Sequence, residues 1–167
     1  MRNPLCLIAL ACSLLSPTAI ALTNNKLCSA QSTDHIVPLI ELYTSEGCSS
    51  CPPADQWLSG LADQGFTNDK VIPLAFHVDY WDYIGWKDRF ASPKFTARQR
   101  QVVDAGRAKF AYTPQVLFNG IDFGDWRNHA SFAGAVLTSQ KQQAHAKLSL
   151  ILSQIMKYSH SLITKQA

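Results

Sequence analysis

Residues 36–62 read IVPLIELYTSEGCSSCPPADQWLSGLA and contain three successive patterns. Ile36–Tyr43 is a short apolar run rich in branched residues, which is typical of a buried strand with Pro38 near its start. After a turn-like segment comes the C-x-x-C sequence Cys48–Cys51. From Ala54 onward apolar residues recur at helical spacing, behind two prolines that a first helical turn tolerates. The stretch therefore predicts a strand, a cysteine loop and a helix.

The same alternation continues toward the C-terminus. Val71–Val78 is a second apolar run with an early proline, so 36–78 predicts a βαβ unit with two parallel strands. A helix is expected from Ser92-Pro93 to about Ala108, with Phe95, Val102 and Val103 facing inward. A hairpin of Gln115–Phe118 and Ile121–Phe123 around Asn119-Gly120 is expected next. It is followed by a helix over Asn128–Gln140. This order, βαβ followed by ββα, predicts an α/β protein with a thioredoxin-like fold, in which helices flank a central mixed sheet.

The N-terminus has the pattern of a secretory signal peptide. Arg2 precedes the apolar run Leu5–Leu15, and Ala19–Ala21 gives an A-x-A cleavage site. We therefore expect residues 1–21 to be removed and the protein to be periplasmic or secreted. The polar residues 22–35 predict a flexible leader to the domain.

The thioredoxin-like domain is expected to cover residues 36–146. Apolar residues between Leu148 and Leu162 then predict a C-terminal amphipathic helix over 147–167.

Composition excludes several classes of function. The chain has 167 residues, 47% of them apolar, and a net charge of +3 without a basic run, which fits one globular domain and gives no sign of nucleic-acid binding. The long apolar stretch at the N-terminus is shorter than the roughly 20 residues needed to span a bilayer. Behind the signal peptide three cysteines remain, Cys28, Cys48 and Cys51, and an odd number this small cannot build a disulfide scaffold.

The C-x-x-C pair carries the candidate chemistry. A cysteine at the start of a helix lies near unpaired amide N–H groups and the positive end of the helix dipole, and both favour the thiolate. Cys48 is therefore the candidate nucleophile, more exposed than Cys51. Because Cys51 lies one helical turn away, it can resolve a mixed disulfide on Cys48 and close a Cys48–Cys51 disulfide.

Other uses of the pair remain open. A zinc site needs about four ligands, and the chain has no second cysteine pair. A c-type haem would need histidine where Pro52 stands, so no metal site or cofactor is expected. An inert structural disulfide is the remaining alternative.

Supporting residues are expected from three other segments. In thioredoxin-like proteins a cis proline precedes the hairpin strand, faces the cysteines and presents its neighbour's backbone to substrate; Thr113-Pro114 stands at that place. His77–Tyr83, including Asp79 and Trp81, follows the second parallel strand and is expected to form a wall of the same cleft. Glu41 lies within a buried strand, so it either accepts the proton of the resolving thiol or pairs with Lys or Arg.

Three segments resemble a known protein family. ELYTSEGCSSCPPAD (41–55), HVDYWDYIGWKDRFASP (77–93) and YTPQVLFNG (112–120) are similar to the signature blocks of the secreted thioredoxin-like family catalogued as domain of unknown function 1223. The resemblance implies a thioredoxin-like fold and an exported bacterial protein. Members of that family continue beyond the last helix into a β-rich segment, which Lys147–Ala167 does not resemble.

These patterns support two classes of function. The first is an exported thiol–disulfide oxidoreductase that acts on protein or small-molecule thiols and disulfides through Cys48 and Cys51. The second is a non-catalytic thioredoxin-fold binding module, for a client protein or for a soft metal such as copper held by the two thiols and His77. A thioredoxin-fold protein without turnover belongs to the same second class.

Overall fold

The structure is a computed structural model that describes residues 28–152. The signal peptide predicted for residues 1–21 lies outside the described residues, as does the part of the predicted C-terminal helix from residue 153 onward. Ala30–Leu150 form one compact unit.

The described elements follow the predicted order. They are β1 Cys28–Gln31, β2 Leu39–Thr44, α1 Pro52–Ser59, β3 Ile72–His77, a 3-10 turn Asp82–Ile84, α2 Pro93–Asp104, β4 Gln115–Phe118, β5 Ile121–Asp122, α3 His129–Gln140 and β6 Ser149–Leu152. No helix described between residues 28 and 152 has the length and apolar character needed to cross a bilayer.

Four strands form the central sheet in the order β3-β2-β4-β5. β2 and β3 run parallel, with Leu39 opposite Ile72, and β4 runs antiparallel to both β2 and β5. Asn119 and Gly120, with φ of 51° and 76°, make the tight turn that asparagine and glycine tolerate. The α/β fold class is confirmed, and the arrangement is consistent with a thioredoxin-like fold.

The two faces of this sheet have different packing. Ile40 and Leu42 face α1 and α3, where the buried ring of Phe132 lies 5.1 Å from Trp57 and 4.9 Å from Phe66. Tyr43, the residue after Leu42, belongs to a smaller cluster that includes Val78, Leu117 and, partly buried, Val102 of α2. Because alternate residues of a strand point to opposite faces, β2 separates an apolar layer from the α2 layer.

Helix α2 differs from the prediction in what it buries. Ser92 caps it as expected and accepts a hydrogen bond from the Lys94 amide at 3.3 Å. The fully buried residues are Thr96 and Gln99, whereas the apolar residues expected inside, Phe95, Val102 and Val103, are only partly buried. Hydrogen-bond partners on the sheet and the neighbouring loops allow these polar side chains to be buried.

Two predictions for the chain ends are wrong within the described residues. Cys28–Gln31, predicted as part of a flexible leader, form β1, and Ser149–Leu152, predicted as helix, form β6. The two strands make a separate sheet, which the Ser32 amide extends by donating to the Leu148 carbonyl at 2.8 Å. A short apolar run such as Leu150–Leu152 is compatible with either state, and a partner strand decides the outcome.

Candidate functional site

Cys48 and Cys51 form a disulfide between the end of β2 and the start of α1. Their Cα atoms lie 5.4 Å apart. The residues are 2% and 0% exposed, so both are buried and the expected difference in their exposure is small. The predicted pair is therefore in place, in its oxidised form.

The start of α1 offers fewer free amides than the sequence suggested. Cys51 is the N-cap residue, and Pro52 and Pro53 at the first helical positions have no N–H. The amides of Ala54 and Asp55 both donate to the Cys51 carbonyl, at 2.8 and 3.1 Å. The Cys51 amide donates to the Cys48 carbonyl at 3.2 Å. These donors are bound to backbone carbonyls rather than to sulfur.

Two serines shape the loop that carries the first cysteine. Ser45 accepts a bond from the Cys48 amide through its carbonyl and one from the Gly47 amide through its hydroxyl, both at 3.1 Å. Ser50 places its Oγ 3.5 Å from the Sγ of Cys48. The loop therefore holds Cys48 beside a hydroxyl group.

Trp81 connects the cysteine loop to the segment that precedes β4. A Cβ added to Gly47 would lie 3.2 Å from the Cβ of Trp81, and the Trp81 indole N–H donates to the Thr113 hydroxyl at 2.7 Å. The Thr113-Pro114 peptide bond is cis, as predicted. The predicted wall and the predicted cis proline therefore meet through one tryptophan.

Asp88 organises the other side of this wall, and sequence reasoning did not single it out. Its buried carboxylate accepts bonds from the Glu46 amide at 2.9 Å, the Phe90 amide at 2.8 Å and the His77 Nδ1 at 2.6 Å. Burial alone would raise the pKa of Asp88, but these donors hold it below the usual range. Asp88 thereby fixes the backbone two residues before Cys48. No local pattern marks such a residue, because its partners come from three segments.

Asp79 binds the start of α2. Its amide donates to the Thr96 hydroxyl at 3.2 Å, and its carboxylate accepts a short bond from the same hydroxyl. This contact explains the burial of Thr96. Asp79 therefore anchors a helix, and its carboxylate is bound there.

Glu41 pairs with an arginine, which was one of its two predicted roles. Arg98 donates to both carboxylate oxygens, at 2.8 and 3.0 Å, and the Tyr43 hydroxyl donates to Oε2 at 3.0 Å. Burial first, and then the carboxylate, raises the pKa of Tyr43, while Glu41 raises that of Arg98. Because Ile40 and Leu42 face α1, Glu41 lies on the opposite face of the sheet from the helix that follows the cysteines.

Buried amides also position the segment before β4. Gln99 donates to the Tyr112 carbonyl at 2.8 Å and to the Gln115 side chain at 2.7 Å, and Gln115 donates to Asp122 at 3.1 Å. Burial first, and then the Asp122 carboxylate, raises the pKa of Tyr112 to about 12. Sequence reasoning missed this network, since polar residues give no periodic signal.

The suggested soft-metal site is not assembled. Within residues 28–152 no group of three or more histidine, cysteine or acidic side chains is placed to hold a metal ion. His77 directs its Nδ1 to Asp88 instead of joining the two cysteines. The copper alternative therefore loses its expected ligand set.

Comparison with known proteins identifies the family. A family model described as "Protein of unknown function (DUF1223)" matches residues 39–166. The chain belongs to this family. A crystal structure of a protein from Agrobacterium tumefaciens is 35% identical, with a TM-score of 0.54, and the match covers 66% of this chain and 48% of that chain. The present chain thus spans about half the length of that protein. No curated protein matches this chain.

The matched DUF1223 region contains every candidate site residue. Of these, the structure places Trp81 against both the Cys48 loop and Thr113. It assigns Glu41 and Asp79 to contacts with α2. The site that remains is a buried disulfide bordered by an aromatic segment.

Proposed function

We propose that this DUF1223 protein is an exported, thioredoxin-like thiol–disulfide oxidoreductase that uses Cys48 and Cys51. The observation that carries the proposal is the disulfide itself, closed across two intervening residues between a central strand and the first turn of a helix. Two sulfurs in such a short loop can interconvert between the dithiol and the disulfide without any larger rearrangement of the chain.

The proposed reaction transfers two electrons. The Cys48 thiolate attacks a substrate disulfide, which forms a mixed disulfide and releases one substrate thiolate. Cys51, deprotonated as it reacts, attacks the Cys48 sulfur, which closes the protein disulfide and releases the second substrate thiolate. The substrate is reduced and the protein oxidised, and the reverse sequence oxidises a dithiol substrate. Protein or small-molecule thiols and disulfides are the proposed partners.

Position in the loop supports the two cysteine roles. Cys51 is fully buried at the N-cap of α1, and its carbonyl accepts two amide bonds. Cys48 lies before the helix, on the loop that reaches Trp81 and Ser50. Trp81 is proposed as a supporting residue because it borders this loop, and Thr113 because its hydroxyl accepts the Trp81 indole N–H.

One observation favours a second candidate, a binding module without turnover. Both cysteine residues are less than 3% exposed, and a disulfide sealed from solvent reacts slowly with thiols. In that case the pair stabilises the loop, and the aromatic segment beside it binds a client protein.

Disulfide exchange followed in solution separates the two candidates. We expect the reduced protein to reduce a model protein disulfide, and Cys51→Ala to accumulate a mixed disulfide on Cys48 that mass spectrometry detects. Cys28→Ser serves as the control and keeps full activity. A disulfide that glutathione cannot open, with no trapped adduct on the Cys51→Ala variant, would establish the binding module instead.

A further inference from the structure

We infer that Ser50 is a catalytic residue of the exchange reaction, because its hydroxyl donates a hydrogen bond to the Cys48 sulfur and sets the reactivity of that thiolate. The inference rests on the proposed function, since it assigns a role within the same site. It extends that function by naming the group that stabilises the nucleophile.

The direction of the hydrogen bond follows from the chemistry of the disulfide. The Sγ of Cys48 lies 3.5 Å from the Oγ of Ser50, and a disulfide sulfur has no hydrogen to donate. The hydroxyl is therefore the donor. Reduction turns this weak acceptor into a charged thiolate, for which hydrogen bonds are about twice as strong as between neutral groups.

The usual helix-start donors are missing or already bound. Pro52 and Pro53 contribute no N–H, and the amides of Cys51, Ala54 and Asp55 all donate to backbone carbonyls of the same loop. The partial positive charge of a helix start resides on its unpaired amides, so little of it is left for the sulfur.

No cation within the loop replaces these donors. The segment from Thr44 to Ser59 contains Glu46 and Asp55 and no lysine, arginine or histidine. The carboxylate of Glu46 accepts the indole N–H of Trp86 at 2.8 Å. Across the wall the Asp88 carboxylate accepts hydrogen bonds from the Glu46 amide and from His77. Negative charge near a thiol opposes its ionisation, so the hydroxyl acts against its surroundings.

The chain provides a matched control in the neighbouring residue. Ser49 has the same side chain, is likewise exposed and stands between the same two cysteines. Among the described residues the Cys48 sulfur contacts the Ser50 hydroxyl, and no such contact is made by Ser49. A general effect of removing one hydroxyl from this loop would appear in both variants, whereas the proposed bond concerns Ser50 alone.

The test measures the ionisation and reactivity of Cys48 directly. Full-chain protein carrying Cys28→Ser is reduced, and alkylation of Cys48 by iodoacetamide is followed by mass spectrometry from pH 5 to pH 10. We expect Ser50→Ala to raise the thiol pKa, with the rate near pH 7 falling about three- to tenfold, the size of one typical net hydrogen bond. At the alkaline plateau, where the thiol is fully ionised, the deficit of Ser50→Ala disappears and its rate slightly exceeds that of the parent protein, because a thiolate of higher pKa is the stronger nucleophile. Ser49→Ala is expected to follow the parent curve, and Ser50→Thr, which keeps the hydroxyl, to restore it.

Three results would overturn the inference. They are a Cys48 thiol pKa in Ser50→Ala equal to that of the parent protein, a shift of this pKa in Ser49→Ala as large as that in Ser50→Ala, and a Ser50→Thr variant that does not restore the parent value. Each leaves disulfide exchange measurable, so the proposed function survives them. If the parent protein titrates as expected but neither exchanges disulfides nor forms the Cys51→Ala adduct, the proposed function fails, and Ser50 then has no reaction to assist.

Discussion

Replacing Arg98 with methionine tests whether Glu41 has a structural or a chemical role. The Arg98 guanidinium binds both oxygens of Glu41, whose side chain is 2% exposed, while the arginine side chain is 48% exposed. Arg98→Met leaves the carboxylate buried with the Tyr43 hydroxyl as its remaining side-chain donor. The substitution thus removes the positive charge of Arg98 and leaves the buried Glu41 carboxylate without a cationic partner.

The expected loss follows from these exposures. Breaking a buried ion pair by removing one partner costs about 3–5 kcal/mol of unfolding free energy. Because the arginine is half exposed, water can reach the carboxylate from that side, and we expect a smaller loss of about 2–3 kcal/mol. The triple variant Glu41→Leu/Tyr43→Phe/Arg98→Met removes both charges and the hydroxyl that binds the carboxylate, and is expected to lie within about 1 kcal/mol of the parent protein.

Urea denaturation of the oxidised protein measures these losses. Arg100→Met is the matched control, since Arg100 is exposed on the same helix, and we expect it to change the unfolding free energy by less than about 0.5 kcal/mol. An Arg98→Met variant as stable as that control would refute the structural role. Glu41→Gln is expected to leave the ionisation of both thiols unchanged, and a shifted Cys51 titration would restore the proton-acceptor hypothesis.

Three further perturbations probe other contacts. Lowering the pH below about 4 should reduce the unfolding free energy, because the pKa of Asp88 is depressed in the folded protein. The contribution of its carboxylate to stability is complete above the ordinary carboxyl pKa, and it is lost as the pH falls through the folded-state pKa. Acid titration by circular dichroism should show a weaker dependence in Asp88→Asn, and equal slopes would contradict this. Phe132→Ala should cost about 3–5 kcal/mol in urea denaturation, against little for the exposed Leu137→Ala. Gly47→Ala should cost about 1 kcal/mol and alter the fluorescence of Trp81, because the new Cβ lies 3.2 Å from that side chain; an unchanged spectrum and stability would argue against the contact.

The central sheet was predictable because its signals are local. Apolar runs at Ile36–Tyr43 and Val71–Val78, separated by a helical stripe, predict the parallel pair that the structure contains. Asn119-Gly120 predicts the hairpin turn from two residues alone. The cysteine pair was equally readable, since its spacing and its place before a helix are features of the sequence.

The rest depends on contacts between residues far apart in the chain. Arg98 stands 57 positions after Glu41, and no pattern at either site names the other. Gln99 is buried only because the Tyr112 carbonyl and Gln115 meet it there. The number of unpaired amide N–H groups at the start of α1 was overestimated for a different reason. Prolines favour a helix start, but they have no N–H and so remove donors that a sulfur would use.

The two faces of the sheet have a consequence for local opening. α1 and α3 are attached by apolar side chains, whereas the fully buried residues of α2 are Thr96 and Gln99, beside the half-exposed Arg98. Apolar attachment weakens on cooling, while an ion pair that solvent reaches from its arginine side is partly screened by salt. High ionic strength should therefore loosen α2 and accelerate hydrogen exchange of its amides. The amides of α1, the helix that follows the cysteine loop, should stay protected.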